Sequence, residues 1–502
     1  MAMVNKIVLI KPKSTYVSSM PRIPLSVLFI GSTLKHNGYE VRVIDANVER
    51  NYEQAIMKEC KDADLVGISA LTSEVKCGLE ITKLIKEKSN SLIIWGGIHP
   101  SLFPQLTCED SLIDLVGCGE GEPLLLEIAK GKPFNEIEGL VYKENGEVII
   151  NKTRPYIDLN TLPLMDYTLI DMSKYYEGGT WRKAVDVQTS RGCPNDCLFC
   201  VNKALGTHKM RFMSAERVVL ECERLVNGYG ANFITFTDDN FFLNRKRARD
   251  ICNGILSHKL KFKWFAEVRA DYFRDGFIDK EFLELAQESG LSNLTIGAES
   301  GVPKYLTMLG KGITTENIEQ SAKTLSQTNI TTAYSFLIGL PDETKEDIFT
   351  TLGFIEKLQK IYPNGVYGIG ILRAYPKSEL TDRFVNQGLI IEPKTLGEFA
   401  DDKFNRVYID ILLRPVWHKH PDFVVKISRY SDIAYGVFLS SSVRKNLKYG
   451  SILLLPEKTL QKIARWRVHH KFFKFPIDLY IGESLHKLYT SSFVRKLAKW
   501  RK

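Results

Sequence analysis

The sequence predicts an α/β protein: a doubly wound, Rossmann-like N-terminal domain, a partial (β/α)6 barrel of the TIM type, and a mixed, partly helical C-terminal subdomain. Three observations predict it. Short runs that are apolar throughout alternate with helical patterns from the start of the chain, the same rhythm resumes at Val185, and it gives way after about residue 390 to irregular, aromatic-rich, basic sequence. Domains are therefore placed at 1–140, 141–184 (a linker with a hairpin), 185–388 and 389–502.

Ile7 to Ile10, Val41 to Ile44, Leu65 to Ser69 and Leu92 to Trp95 are the first predicted strands, with a helical pattern from Leu25 to His36 between the first two. Strands apolar along their whole length are buried on both faces, which requires a parallel sheet covered by helices. Ligands of such sheets bind at the carboxyl ends of the strands, and Gly31, Gly38, Gly67, Gly96 and Gly97 fall at or near element ends. Glu144, Asn145 and Gly146 predict a hairpin turn, and Pro155 and Pro163 mark connecting chain. The barrel strands are expected at Val185 to Gln188, Phe233 to Thr237, Trp264 to Arg269, Leu294 to Gly297, Thr332 to Ile338 and Gly368 to Leu372. A helix is expected from Ser214 through Val226, with Ser214 as its N-cap. Six such units fit an incompletely closed barrel better than a full eight-unit one.

At 502 residues the chain is too long for one ordinary core, and 44% hydrophobic with 25% charged residues is the composition of a globular protein. No stretch approaches the roughly 18 apolar residues of a spanning helix. The start, Met1 to Lys6 running straight into Ile7, reads as a chain without an export leader. Nine cysteines are then expected to be reduced thiols in a cytoplasmic protein. Cys60, Cys77, Cys108, Cys118, Cys222 and Cys252 are scattered without ligand spacing, as small buried hydrophobes are. The net charge of +9 is uneven: residues 441–502 carry +12 and the first 440 carry −3.

The other three cysteines stand together in Thr189-Ser-Arg-Gly-Cys193-Pro-Asn-Asp-Cys197-Leu-Phe-Cys200, just after the first barrel strand, where barrel chemistry is built. A 4Fe-4S cube needs a ligand on each iron, so three thiolates on one short loop fill three corners and leave the fourth iron open. Zinc would want a fourth Cys or His nearby; His208 is the local candidate, and the spacing is unlike common zinc pairs.

This spacing, with Phe199 directly before the third cysteine, closely resembles the radical S-adenosylmethionine (SAM) superfamily over residues 185 to about 385. The resemblance implies that Cys193, Cys197 and Cys200 hold the cluster and that SAM chelates the open iron through its methionyl amine and carboxylate. One electron then cleaves the sulfonium to a 5′-deoxyadenosyl radical. It further implies that Asp238 and Asp239, in Thr237-Asp-Asp-Asn-Phe241, contact the methionyl amine, with capping of the next helix as the structural alternative. By the same resemblance Arg269 pairs with the methionyl carboxylate, Glu299 with the ribose hydroxyls, and Ile338-Gly339-Leu340-Pro341 lies against the adenine.

Residues 1–150 resemble the cobalamin-binding domain of the cobalamin-dependent (B12-binding) branch of that superfamily, whose radical methyltransferases are called class B. The matching pieces are Pro24-Leu25-Ser26, Val43 to Ala46, Val66 to Ser69, Gly96-Gly97-Ile98-His99-Pro100 and Gly119-Glu120-Gly121-Glu122-Pro123. A flat corrin needs a wide, permissive floor, which the Gly96-Gly97 loop with Leu71, Thr72 and Ser73 opposite supplies. Leu25, Ser69, His99, Gly119, Glu120 and Glu122 complete the implied contacts. The Asp-x-His-x-x-Gly signature of an axial histidine ligand is absent, so His99 is not expected beneath cobalt in that manner.

The activity implied is methylation of an unactivated carbon of a hydrophobic substrate, a lipid or polycyclic natural product. The adenosyl radical abstracts a hydrogen, the carbon radical takes a methyl group from methylcobalamin, and a second SAM remethylates cobalt. A radical cyclase or other oxidative ring-forming enzyme of the same architecture, and a non-catalytic iron-sulfur and cobalamin sensor, are the alternatives. Tyr375 and residues 380–420 are the candidate substrate lining, and flavodoxin or ferredoxin the candidate electron donor. In the tail, Leu460, Ile463 and Trp466, then Leu485, Leu488, Tyr489, Phe493, Leu497 and Trp500, have helical apolar spacing among many Lys and Arg. Basic amphipathic helices with Trp suit peripheral contact with the inner face of the membrane, against the plainer reading of a packed subdomain with a charged face; no nucleic-acid module is present.

Overall fold

A computed structural model describes residues 4–15, 22–176, 183–402, 404, 414–435, 455–481 and 484. Its first sheet has the order β2-β1-β3-β4-β5-β6-β7, with β1 Lys6–Lys11, β2 Glu40–Asp45, β3 Leu65–Ser69, β4 Leu92–Gly96, β5 Leu115–Gly117, β6 Leu140–Glu144 and β7 Glu147–Ile150. The first five strands run parallel and the last two join antiparallel. Two cores follow from the period of two along a strand. Ile7 and Leu9 face Val27, Leu34, Leu124 and Ile128, from helices Leu25–His36 and Gly121–Ala129. Val8 and Ile10 face Ile56, Ile81 and Ile85, from helices Tyr52–Glu59 and Val75–Lys86. Helices on both faces make the domain doubly wound, as its apolar strands require. Trp95 is fully buried, donates through Nε1 to Thr82 Oγ1 at 3.0 Å, and leaves no room for a Cβ on Gly78.

Two segments fall differently from the sequence reading. The Glu144–Gly146 hairpin turns where expected, but β6 pairs with β5, so residues 140–150 close the first sheet and are not linker. The reason is the apolar run Leu140, Val141 and Tyr142, which covers an otherwise open sheet edge. Residues 374–402 group with the described residues up to 265 as one compact unit, and Leu396 and Phe399, on helix Leu396–Ala400, complete the core beside helix Val75–Lys86.

Six further parallel strands follow: β8 Ala184–Val187, β11 Phe233–Phe236, β12 Lys263–Val268, β13 Leu291–Glu299, β14 Thr331–Ile338 and β15 Val366–Ile371. Between β8 and β11 lies a two-stranded ladder, β9 Ser190–Arg191 with β10 Arg211–Phe212. In the first unit β11 pairs with β8 and with the start of β12. The division between the units falls inside β12, and in the second unit β14 pairs with both β13 and β15. Ser214 caps helix Ala215–Glu223 by accepting from Arg217 N at 3.2 Å; a π-turn over Arg224–Gly228 replaces the helical end expected near Val226. The second unit adds helix Pro421–Ala434 beside β15 and helix Leu455–His469 against it.

Candidate active site

The cluster loop begins at Gly192, whose φ of 93° and lack of a Cβ let Thr207 O (2.6 Å from a built Cβ) and Lys209 O (2.7 Å) close over it. Cys193 N donates to Thr207 O at 2.9 Å, Asn195 Nδ2 to Cys193 Sγ at 3.2 Å, and Cys200 N to Cys197 O at 3.1 Å. Burial pushes the Cys200 thiol up, and Cys197, Asp239 and Cys193 are close enough to add to that. Among the described residues no three His, Cys, Asp or Glu side chains converge on a single ion. Three thiols spaced along one loop suit a cube in which each grips a different iron, and do not suit zinc.

The two aspartates after β11 divide their labour. Asp238 is 1% exposed and accepts from Thr189 N (2.9 Å), Thr189 Oγ1 (2.9 Å) and Ser190 Oγ. Arg247 faces it, donating to Thr189 O and Oγ1 and Met213 O. With its oxygens committed, Asp238 braces the strand that leads to the cysteines, which corrects its reading as a SAM contact. Asp239 is exposed and within electrostatic reach of Cys200, so it alone of the pair is available to a ligand. Neither caps a helix; Asn244 does that for Arg245–Ser257.

At the carboxyl ends of β3 and β4, Gly97 (φ 96°) is pressed against Ala70, whose O and N lie 2.9 and 3.0 Å from where its Cβ would stand. Glu74 shapes the facing turn, accepting from Leu71 N at 2.8 Å and from Lys11 Nζ at 2.6 Å. Leu71 and Ile98 are left exposed, and Gly96, Thr72, Ser73 and Gly119 lie open or half open. Leu25 is half buried, and Ser69 is engaged with Ser26 Oγ at 2.9 Å. His99 is corrected as a ligand contact. Its ring is fully buried 5.2 Å from Phe103 and 4.6 Å from Phe399, with Nδ1 on Thr72 Oγ1, and burial lowers its pKa to about 3.

Glu120 and Glu122 also prove to be structural. Arg191, two residues before Cys193, donates to Glu120 Oε1 at 2.9 Å, Glu122 Oε1 at 2.5 Å and Gln188 Oε1 at 3.1 Å, with its guanidinium 4.9 Å from the Phe29 ring. Arg211 adds a second cation on Glu120 at 2.9 Å. The loop after β5 is thus latched to the cluster loop by buried, multidentate charge pairs. No residue spacing in the sequence advertises this; Arg191 is a contact the sequence reading missed. Leu198 O accepts from Leu380 N at 3.0 Å and Lys203 pairs with Glu379 at 2.8 Å, which brings the segment after Tyr375, itself 43% exposed, beside the cluster loop.

In the second unit, Arg269 follows β12 and donates to Asp271 (2.9 Å) and Lys311 O (2.9 Å). Glu299 ends β13 at a bulge with φ 59°, a strained position for a side-chain-bearing residue, and pairs with Lys311 Nζ at 2.8 Å. A Cβ on Gly297 would lie 2.4 Å from that carboxylate. Ile338 and Leu340 are fully buried, so within this segment only the backbone and half-buried Pro341 can face a ligand, a correction for the Ile338 side chain. Gly339 and Leu340 donate to Glu343 Oε2 at 2.6 and 3.1 Å, while Trp417 Nε1 donates to Gly339 O at 2.7 Å and His418 Nε2 lies 2.8 Å from Glu343 O. Burial raises the Glu343 pKa to about 8. Trp417 and His418 lie in the 380–420 stretch read as candidate substrate lining, and their structural role had no sequence signal.

A model of the radical SAM superfamily matches residues 187–355 and one of the B12 binding domain matches residues 18–129. The chain belongs to the radical SAM superfamily, to the group that carries a B12-binding domain, and is an enzyme whose cofactors are a 4Fe-4S cluster, SAM and cobalamin. It is 32% identical over 458 residues, 84% of this chain and 97% of the relative, to an uncharacterized methyltransferase of Pyrococcus horikoshii. It is 28% identical over 345 residues, 65% of this chain and 55% of the relative, to the anaerobic magnesium-protoporphyrin IX monomethyl ester cyclase of Cereibacter sphaeroides. Among solved structures, the cobalamin-dependent S-adenosylmethionine radical enzyme OxsB with aqua-cobalamin bound aligns at a TM-score of 0.73 and 18% identity, over 98% of this chain and 80% of that one, a likeness of fold. The residues present fit these groups: three thiols on one loop for the cluster, and exposed Leu71 and Ile98 over a glycine floor for the flat face of a corrin ring.

Proposed function

We propose that this enzyme transfers a methyl group to an unactivated carbon of a hydrophobic small molecule, a lipid or polycyclic compound. When bound, the cluster with SAM supplies a carbon-centred radical and the corrin supplies the methyl group. The observation that carries the reading is the Arg191 latch. It ties the loop after β5 to the cysteine loop inside one compact unit, so the two cofactor-bearing segments keep a fixed relation. Asp239 is available to orient the SAM amine, and the exposed Tyr375 segment is the candidate substrate lining. Likeness to a methyltransferase over almost its whole length supports methyl transfer.

The cyclase relative favours ring formation as a second reading. Anaerobic turnover against a lipid and metabolite extract separates the two. Methylation yields S-adenosylhomocysteine with 5′-deoxyadenosine and a substrate heavier by one methylene; ring formation yields no homocysteine product. The electron is drawn from flavodoxin or ferredoxin in a reducing, cytoplasmic compartment, which an iron-sulfur cluster on cysteine thiolates requires. No helix among the described residues is long and apolar enough to cross a membrane. The basic C-terminal region, net +12 over residues 441–502, suits peripheral contact with an anionic inner leaflet. In the tail, Leu460, Ile463 and Trp466 fall on helix Leu455–His469, whereas the Leu485 to Trp500 segment lies outside the described residues.

A further inference from the structure

The segment after helix Leu455–His469, a turn that runs into a helical stretch from Ile477 to Ile481, carries a surface the radical chemistry does not use. Phe475, Ile477, Tyr480 and Ile481 are 75%, 67%, 64% and 50% exposed, and Trp466 on the helix is 53% exposed. Phe475 stands in the turn, and Ile477, Tyr480 and Ile481 are spaced i, i+3 and i+4 along one face of the helical stretch, where large apolar side chains ordinarily turn inward. Here polar bracing keeps them out. Arg467 donates to the carbonyls of Phe472 (3.2 Å), Lys474 (2.9 Å) and Phe475 (3.0 Å), and its Nε pairs with Asp478 at 2.9 Å. Asp478 also accepts from Tyr430 OH at 3.1 Å. Phe473 turns the other way and anchors the segment, 5.3 Å from Tyr430 and stacked 6.1 Å from Phe349. Lys471 pins the start of the segment to Glu346 at 2.6 Å.

Ordering such a segment costs conformational entropy, and apolar tips in water return nothing against it. A covering phase would. Charge selects which one: residues 455–481 hold Lys458, Lys462, Arg465, Arg467, Lys471 and Lys474 against two acids, Glu457 and Asp478, and Asp478 is already paired with Arg467. Apolar tips on a segment with excess cations, of which Lys471 is paired with Glu346, match an anionic bilayer surface, where the tips enter the acyl boundary and lysines sit among phosphates. Single-stranded nucleic acid would meet the cations but leave Ile477 and Ile481 wet.

We propose that the segment Phe472–Ile481, a turn followed by one amphipathic helical stretch, inserts into the headgroup layer of a membrane bearing anionic lipid and presents the enzyme to a hydrophobic substrate dissolved there. This rests on the peripheral-membrane reading above for its partner, and names the element that makes the contact. The full-length protein is sedimented with vesicles of phosphatidylcholine alone and of phosphatidylcholine with phosphatidylglycerol, alongside a triple variant Phe475→Ser, Ile477→Ser, Tyr480→Ser and a double variant Lys462→Gln, Lys474→Gln. The expected result is binding to the anionic vesicles that the triple variant weakens by about tenfold or more, with a smaller, salt-sensitive loss in the double variant and unchanged SAM cleavage in both. Full-length protein that stays in the supernatant overturns both the segment's insertion and the peripheral reading. Equal binding by the triple variant overturns the segment's insertion alone and transfers the contact to other basic segments. Lipid-independent self-association that the triple variant abolishes overturns it in favour of a second copy of the chain.

Discussion

The loop that carries the cysteines and the loops proposed to face the corrin both turn on a glycine at positive φ, yet on that proposal they recognise their cofactors in opposite ways. Gly192 lets two carbonyls close over the chain so that three side chains project donors. Gly97 lets the chain lie against Ala70 so that no side chain projects at all, and the floor is made of backbone with Leu71 and Ile98 at its rim. One region binds through what its residues carry, the other through what they lack. Binding by donors is all-or-none for each residue, whereas binding by shape is graded.

The sharpest way to break this contrast is Cys200→Ala. It should abolish 5′-deoxyadenosine formation to background while the protein still takes up hydroxocobalamin on gel filtration; loss of corrin uptake as well would mean that the two regions are not separable. Next is the latch between them. Arg191→Met leaves Glu122 buried without its partner, a loss of about 3–5 kcal/mol in stability by urea unfolding, together with lower iron content. A change under about 1 kcal/mol, the size of a surface pair, would show that the latch is solvated. Gly97→Ala should cost about 1–3 kcal/mol through backbone strain and contact with Ala70. It should lower cobalamin occupancy while SAM cleavage persists uncoupled from methyl transfer.

The smallest effects are pH slopes of opposite sign. The His99 pKa is depressed in the folded state, to about 3, so its contribution is present above the ordinary value of 6.5 and is lost as pH falls below that. His99→Phe should flatten this acid limb, up to about 1.4 kcal/mol per pH unit. The Glu343 pKa is raised to about 8 from 4.5, so its contribution is complete below 4.5 and is lost as pH rises through about 8. Glu343→Gln, which still accepts from Gly339 and Leu340, should flatten the alkaline limb instead. Urea midpoints measured from pH 5 to 9 separate the two.

The helix Leu25–His36 and the strand Leu65–Ser69 fall where the sequence puts them, because apolar periodicity reports local geometry directly. The glutamates after Gly119 misled for a physical reason. A motif at a strand's end looks the same whether its carboxylates face a ligand or an arginine some seventy residues away, and only the fold brings Arg191 to them. Asp238 and Asp239 are adjacent and chemically identical; burial of one and exposure of the other is a property of the neighbouring strand and helix, not of the dipeptide.

By itself the sequence determined the cysteine spacing, the two α/β halves and the concentration of positive charge near the C-terminus, since each depends on residue type and separation along the chain. The tertiary structure decided which of two adjacent aspartates is buried and which exposed, that residues 374–402 return to the first domain, that Trp417 holds the Gly339 carbonyl, and which apolar side chains are held out toward solvent. Those outcomes depend on burial and on partners distant in sequence, and no local pattern of residues encodes them.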